Sequence, residues 1–108
     1  MDHNLPSDFD YRKIIRRLWD ERRDKNPAYS LRALARDLKI SSGVLSQLLN
    51  NKRKLKLKTA QHLAISLGFN ESMQRLFIWL TELQNIRERA EELESRVQSF
   101  ARPTENQI

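Results

Sequence analysis

Apolar residues recur at helical spacing along most of the chain, in five stretches divided by turn signals. Tyr11, Ile14, Ile15, Leu18 and Trp19 form one face of a first helix that Asn26 and Pro27 end. Ser7 is placed to cap it, with Asp8 and Asp10 in its opening turn and a basic opposite face. Leu31, Leu34, Ala35 and Leu38 predict a second helix capped by Ser30. After a break at Ile40, Ser41, Ser42 and Gly43, the residues Leu45, Leu48 and Leu49 predict a third. Ser41 or Ser42 caps it, it runs to about Asn50, and Asn51 takes the bend that ends it. A fourth, from about Leu57 to Leu67, is expected to bury Leu57, Ala60, Leu63, Ala64 and Leu67 and to stop at Gly68. The second and third helices, joined by so short a break, read as a helix-turn-helix.

The fifth stretch differs in length. It starts after Asn70 and meets no breaker before Pro103, so about thirty residues would extend for roughly 45 Å. Read as heptads, its a positions are Leu76, Leu83, Ala90 and Val97 and its d positions Trp79, Ile86, Leu93 and Phe100, none of them polar. In a parallel pair Glu82 faces Arg87 and Arg89 faces Glu94, both attractive, whereas an antiparallel pairing sets like charges together. A parallel two-stranded coiled coil is therefore the expected use of this helix. Phe77 and Leu80 lie off that seam and are expected to close the core of their own domain. Beyond Ile86 the short helices are not expected to reach. The predicted organisation is a domain over residues 1–70, a dimerisation helix over 71–101 and a disordered tail over 102–108.

Composition agrees with an all-α fold, a compact four-to-five-helix domain followed by the long helix. Strand-type alternation is absent and only two Gly occur in 108 residues. The absence of Cys excludes disulfides and thiolate metal sites and fits a reducing compartment. No stretch has the length of a membrane span, and the N-terminal residues lack a signal-peptide layout, so a cytoplasmic, nucleoid-associated location is expected. Charge is unevenly placed. Residues 1–70 carry fifteen Lys and Arg against seven Asp and Glu, while residues 71–108 carry five against seven. Between Lys39 and Asn70 there is no acidic residue, yet Lys39, Lys52, Arg53, Lys54, Lys56 and Lys58 all fall there. Such a run suits phosphates, although charge alone equally fits a solvated basic face.

The stretch from Ser30 to Phe69 resembles the phage-repressor-like helix-turn-helix family of Xre or Cro type. The resemblance rests on Ala35, where the second helix packs closely on the third, on apolar Leu34, Leu38, Ile40, Leu45 and Leu48, and on the sequences LLNNKRKL and LAISLGF. With FDYRKII before it, the stretch looks like the DNA-binding part of larger bacterial regulators. No counterpart of the separate C-terminal domain of those regulators is expected, and the coiled coil is expected to supply dimerisation. The resemblance implies that Ser42, Gly43, Ser46 and Gln47 face the major groove of double-stranded DNA, Gln47 being suited to a bidentate pair with adenine. It implies that Asn50, Lys52, Arg53 and Lys54 hold the phosphate backbone; Ser41, Lys56 and Lys58 join them as backbone candidates. Ser42 and Ser46 fit a cap and a neutral surface residue equally well. Three positions depart from the family pattern. Leu31 stands where a phosphate-binding Gln is common, Lys56 where a Ser-type cap is expected, and Lys39 where the turn usually has Gly, at a cost near 1 kcal/mol if left-handed.

An enzyme is not expected. His3 and His62 stand apart, no His, Asp or Glu group has metal spacing, and no Gly-rich phosphate loop occurs, so neither cofactor nor small-molecule ligand is indicated. The expected function is a homodimeric, sequence-specific regulator on a two-fold symmetric operator. Two alternatives remain open: an antitoxin-type protein whose long helix holds a different chain, and a nucleoid-type protein that coats DNA with little sequence preference.

Overall fold

The computed structural model describes residues 9–101, and within them five α-helices and no strand. They are α1 (Tyr11–Lys25), α2 (Leu31–Leu38), α3 (Ser42–Leu49), α4 (Leu57–Ser66) and α5 (Glu71–Phe100). Ser7, Asp8, His3 and the segment 102–108 lie outside the described residues. Asp10 does not sit in the first turn of α1 but is its N-cap, accepting a hydrogen bond from the Arg12 N–H. Ser30, Ser41 and Asn70 cap α2, α3 and α5 in the same manner, each accepting from the N–H three residues on. Lys56 precedes α4 without a side-chain cap, as its type dictates.

Three helices end alike. The N–H of Ile40 donates to the carbonyl of Ala35, that of Lys52 to Gln47 and that of Phe69 to Ala64, each bond spanning six residues around a left-handed residue. Those residues are Lys39 (φ 61°), Asn51 (φ 58°) and Gly68 (φ 83°). Lys39 thus takes the strained turn conformation itself. Its turn is braced from α4, where His62 Nε2 lies 3.2 Å from the Leu38 carbonyl and 3.0 Å from that of Lys39. With the proton on Nε2, His62 donates to both orphan carbonyls of α2, a structural role.

The core lies among α1 to α4, built on Tyr11, Ile15, Leu34, Ala35, Leu38, Leu45, Leu48, Leu55, Ala60, Leu63 and Ala64. Ala35 of α2 is buried in this core at 2% exposure, where a larger side chain would overpack it. α5 joins this core through Phe77, whose ring meets Phe9 and Phe69 edge-on at centroid distances of 6.0 and 5.7 Å. Phe77 and Leu80 are buried, as their positions off the heptad seam predict. Leu57 is not: at the first turn of α4 it is 47% exposed, whereas Leu55, in the loop just before it, is fully buried. Leu67, the C-cap of α4, is only partly buried.

Thr81 is buried in α5 at 1% exposure, and its hydroxyl has no hydrogen-bond partner among the described residues. An unmade buried hydrogen bond costs about 1–3 kcal/mol, and valine has nearly the same shape. Thr81→Val is therefore expected to raise the unfolding free energy by about 1 kcal/mol in urea titration. A loss of stability would mean that the hydroxyl has a partner in solution.

Candidate nucleic-acid interface

α3 is held from within and open outside. Leu45, Leu48 and Leu49 are buried, while Ser42, Gly43, Gln47 and Asn50 are exposed and Ser46 is half-buried. A Cβ added at Gly43 would meet nothing within 4 Å, so the first turn presents bare backbone to the outside. Ser41 Oγ accepts the Val44 N–H at 3.1 Å and so serves the helix as its cap; Ser42 is left outside that role. Ser46 Oγ accepts from Asn50 Nδ2 at 3.4 Å, one turn apart. Gln47 Oε1 accepts from Arg53 Nε at 2.8 Å, which turns the carboxamide so that its NH2 is the group left to donate.

The segment after α3 supplies the charge. Lys52, Arg53, Lys56 and Lys58 are exposed and form no ion pair among the described residues. Lys54 differs from the sequence expectation, because its ammonium lies 2.6 Å from Glu88 and 3.5 Å from Glu92 of α5. It is committed to carboxylates of its own chain, which raise its pKa against the opposing effect of burial. A lysine neutralised in this way adds little to the pull on a phosphate. Basic charge also comes from α2, where Arg32 is exposed; Arg36, exposed as well, pairs with Asp37 at 3.7 Å.

What holds this surface in place was not visible as a motif. Arg12, 7% exposed, reaches from α1 to the C-terminus of α3, where its Nε donates to the Leu48 carbonyl at 2.9 Å. Its Nη1 donates to Glu88 at 3.0 Å, and its Nη2 to the Tyr11 hydroxyl and to Asn51 Oδ1 at 3.0 and 2.8 Å. Arg16 donates to the Leu49 carbonyl. Two cations thus satisfy the last carbonyls of α3, where the helix dipole is negative. The Tyr11 hydroxyl also accepts the Leu55 N–H at 3.1 Å and donates to Asn85 Oδ1, while Asn85 Nδ2 donates to the Leu55 carbonyl at 2.8 Å. Gln84 closes the ring. Its Oε1 accepts the Tyr11 N–H, and its Nε2 donates to Asp10 and Glu88.

α5 is therefore reached beyond Ile86, contrary to the sequence expectation, but by polar side chains. Long Arg12 and Lys54 span a distance that aliphatic residues of the short helices cannot. In heptad terms Phe77, Gln84, Asn85, Glu88 and Glu92 occupy b, c and f positions, the side away from the a and d seam. One helix thus has two distinct faces, one docked on its own domain and one exposed. Along the seam Trp79, Leu83, Ile86, Leu93, Val97 and Phe100 are all exposed large apolar residues, from 38% at Leu83 to 93% at Phe100.

Burial raises the pKa of Glu88, but hydrogen bonds from Gln84, Lys54 and Arg12 outweigh it and bring the carboxyl down to about 2. Its ordinary value is 4.5 and its side chain is 24% exposed, so the stabilisation is on the order of 3 kcal/mol. A depressed carboxyl contributes in full above its unfolded pKa and loses that contribution as pH falls toward 2. The stability difference between wild type and Glu88→Gln is expected to shrink between pH 4.5 and 2, read from urea midpoints. A difference independent of pH over that window would remove the ion pairs as its cause.

Among the described residues no group of three or more His, Asp or Glu is placed to hold a metal, and no helix is long and apolar enough to cross a membrane. No protein-family model, curated protein or solved structure matches the chain.

Proposed function

We propose that the protein is a sequence-specific double-stranded DNA-binding regulator of the phage-repressor-like helix-turn-helix type, acting as a parallel homodimer. The observation that carries this reading is the outer face of α3. Small and amide-bearing Ser42, Gly43 and Gln47 are exposed with Ser46 half-buried beside them, and Lys52, Arg53, Lys56 and Lys58 follow within one turn and a loop. An eight-residue helix with so little bulk outside can enter a major groove about 12 Å wide, and the cations then meet the flanking phosphates. The second copy is argued from α5. Its a and d line is exposed from Trp79 to Phe100, and the Glu82–Arg87 and Arg89–Glu94 pairings across a parallel seam are attractive. Two copies place two α3 helices on one side of the duplex, with half-sites about one helical turn, roughly 34 Å, apart.

Base reading and phosphate binding separate experimentally. Gln47→Ala is expected to cost about 1–3 kcal/mol on the preferred sequence and little on random DNA. Lys56→Ala and Lys58→Ala should weaken binding to both and lower the slope of log K against log salt by about one for each phosphate no longer neutralised. Fluorescence anisotropy on specific and random duplexes at several salt concentrations measures all three. Equal losses on both DNAs for Gln47→Ala would favour a coating protein with little sequence preference.

A further inference from the structure

We propose that the buried polar network around Arg12 and Tyr11 sets the half-site spacing the dimer accepts, by fixing the recognition helix to the pairing helix; this rests on the DNA-binding reading above. The segment that carries α3 into the basic loop is tied to α5 along two routes. In the first, Arg12 bridges the Leu48 carbonyl at the end of α3 to Glu88. In the second, the Leu55 backbone is clasped on both sides, its N–H by the Tyr11 hydroxyl and its carbonyl by Asn85 Nδ2, while Tyr11 and Asn85 bond to each other. Residues 48 and 55 bracket the loop that follows α3. A displacement of that loop relative to α5 must break several bonds together.

The network occupies the face of α5 that the seam leaves over, so pairing and docking do not compete for the same side chains. Apolar contacts tolerate sliding, whereas hydrogen bonds weaken steeply once their angle is lost. Buried networks of this sort specify one arrangement. The geometry makes such precision useful. With half-sites about 34 Å apart, one base pair added between them moves the two α3 helices about 3.4 Å further apart, roughly 1.7 Å each, and turns one half-site by about 35° around the duplex. A loosely docked α5 would accept neighbouring spacings. Tyr11, Arg12 and Asn85 are positioning residues in this sense, since none lies on the outer face of α3.

The test uses the full chain and duplexes carrying two copies of the half-site obtained by selection from random DNA, with their separation changed one base pair at a time. Wild type is expected to lose at least tenfold in affinity for a one-base-pair change. Asn85→Ala, and separately Tyr11→Phe, which deletes only a hydroxyl, should flatten that dependence to less than threefold. Both should keep wild-type affinity for a duplex with a single half-site. Circular dichroism at the assay temperature identifies which variants are folded, and the milder Tyr11→Phe serves if Asn85→Ala is not. A folded variant with the wild-type spacing profile overturns the proposal, as does a wild type indifferent to spacing. If no half-site emerges from selection, the DNA-binding reading itself has failed, a result distinct from either.

Discussion

Replacing Arg12 with alanine is expected to destabilise the protein by about 3–5 kcal/mol, the cost of breaking a buried, hydrogen-bonded charge by removing one partner. Arg12 is 7% exposed, and its loss leaves Glu88, the Leu48 carbonyl and Asn51 Oδ1 short of a donor at once. Against a total stability of about 5–15 kcal/mol for a domain of this kind, that loss is a large part of the whole. Arg17 provides the control. It lies on the exposed side of α1, and Arg17→Ala should fall within about 0.5 kcal/mol of wild type. Denaturant titration of both variants measures the difference. A loss below about 1 kcal/mol for Arg12→Ala would mean that water replaces the guanidinium without penalty, and the network would not be the anchor described.

The second large effect concerns association. Ile86 and Leu93, at successive d positions, are 64% and 43% exposed and lie outside the core of their own domain. The double substitution Ile86→Asp, Leu93→Asp places like charges across a parallel seam and removes two apolar layers. Sedimentation should show a dimer for wild type and a monomer for the variant. Because neither residue supports the intrachain core, the thermal signature of the domain itself should persist. Affinity for a two-half-site duplex should fall by about 10²–10⁴, the gain that linking two weak sites provides. A monomeric wild type would contradict the homodimer and leave the seam for a different chain, as in an antitoxin.

Helical periodicity made the five helices legible, and the short polar cap residues made their starts legible. Ser30, Gly68 and the bend at Asn51 stand where the pattern puts them. The errors have local causes. Ser7 and Asp10 both fit a cap for α1, and the choice depends on where Tyr11 must enter the core. Leu57 carries the right spacing for burial, yet Leu55 in the preceding loop is the residue buried, and a helical template gives loop residues no position. The two faces of α5 were only half legible. Heptads identify the apolar seam, but Gln84, Asn85 and Glu88 look like ordinary solvated outer positions until Tyr11 and Arg12 are brought against them from more than seventy residues away in the chain. Arg12 was hidden for a related reason. In a basic face of Arg12, Lys13, Arg16 and Arg17 nothing local distinguishes the one cation that is buried. The commitment of Lys54 to Glu88 was equally beyond a reading of the run from Lys52 to Lys58, because its partners lie on another helix.

The most direct measurement is selection of bound fragments from random double-stranded DNA by the 108-residue chain at near-physiological salt, with the mass of the complex determined in solution. The expected result is an inverted repeat whose centres lie about one helical turn apart, bound by two copies of the chain. Enrichment of no sequence, or of a single asymmetric site bound by one copy, would contradict it.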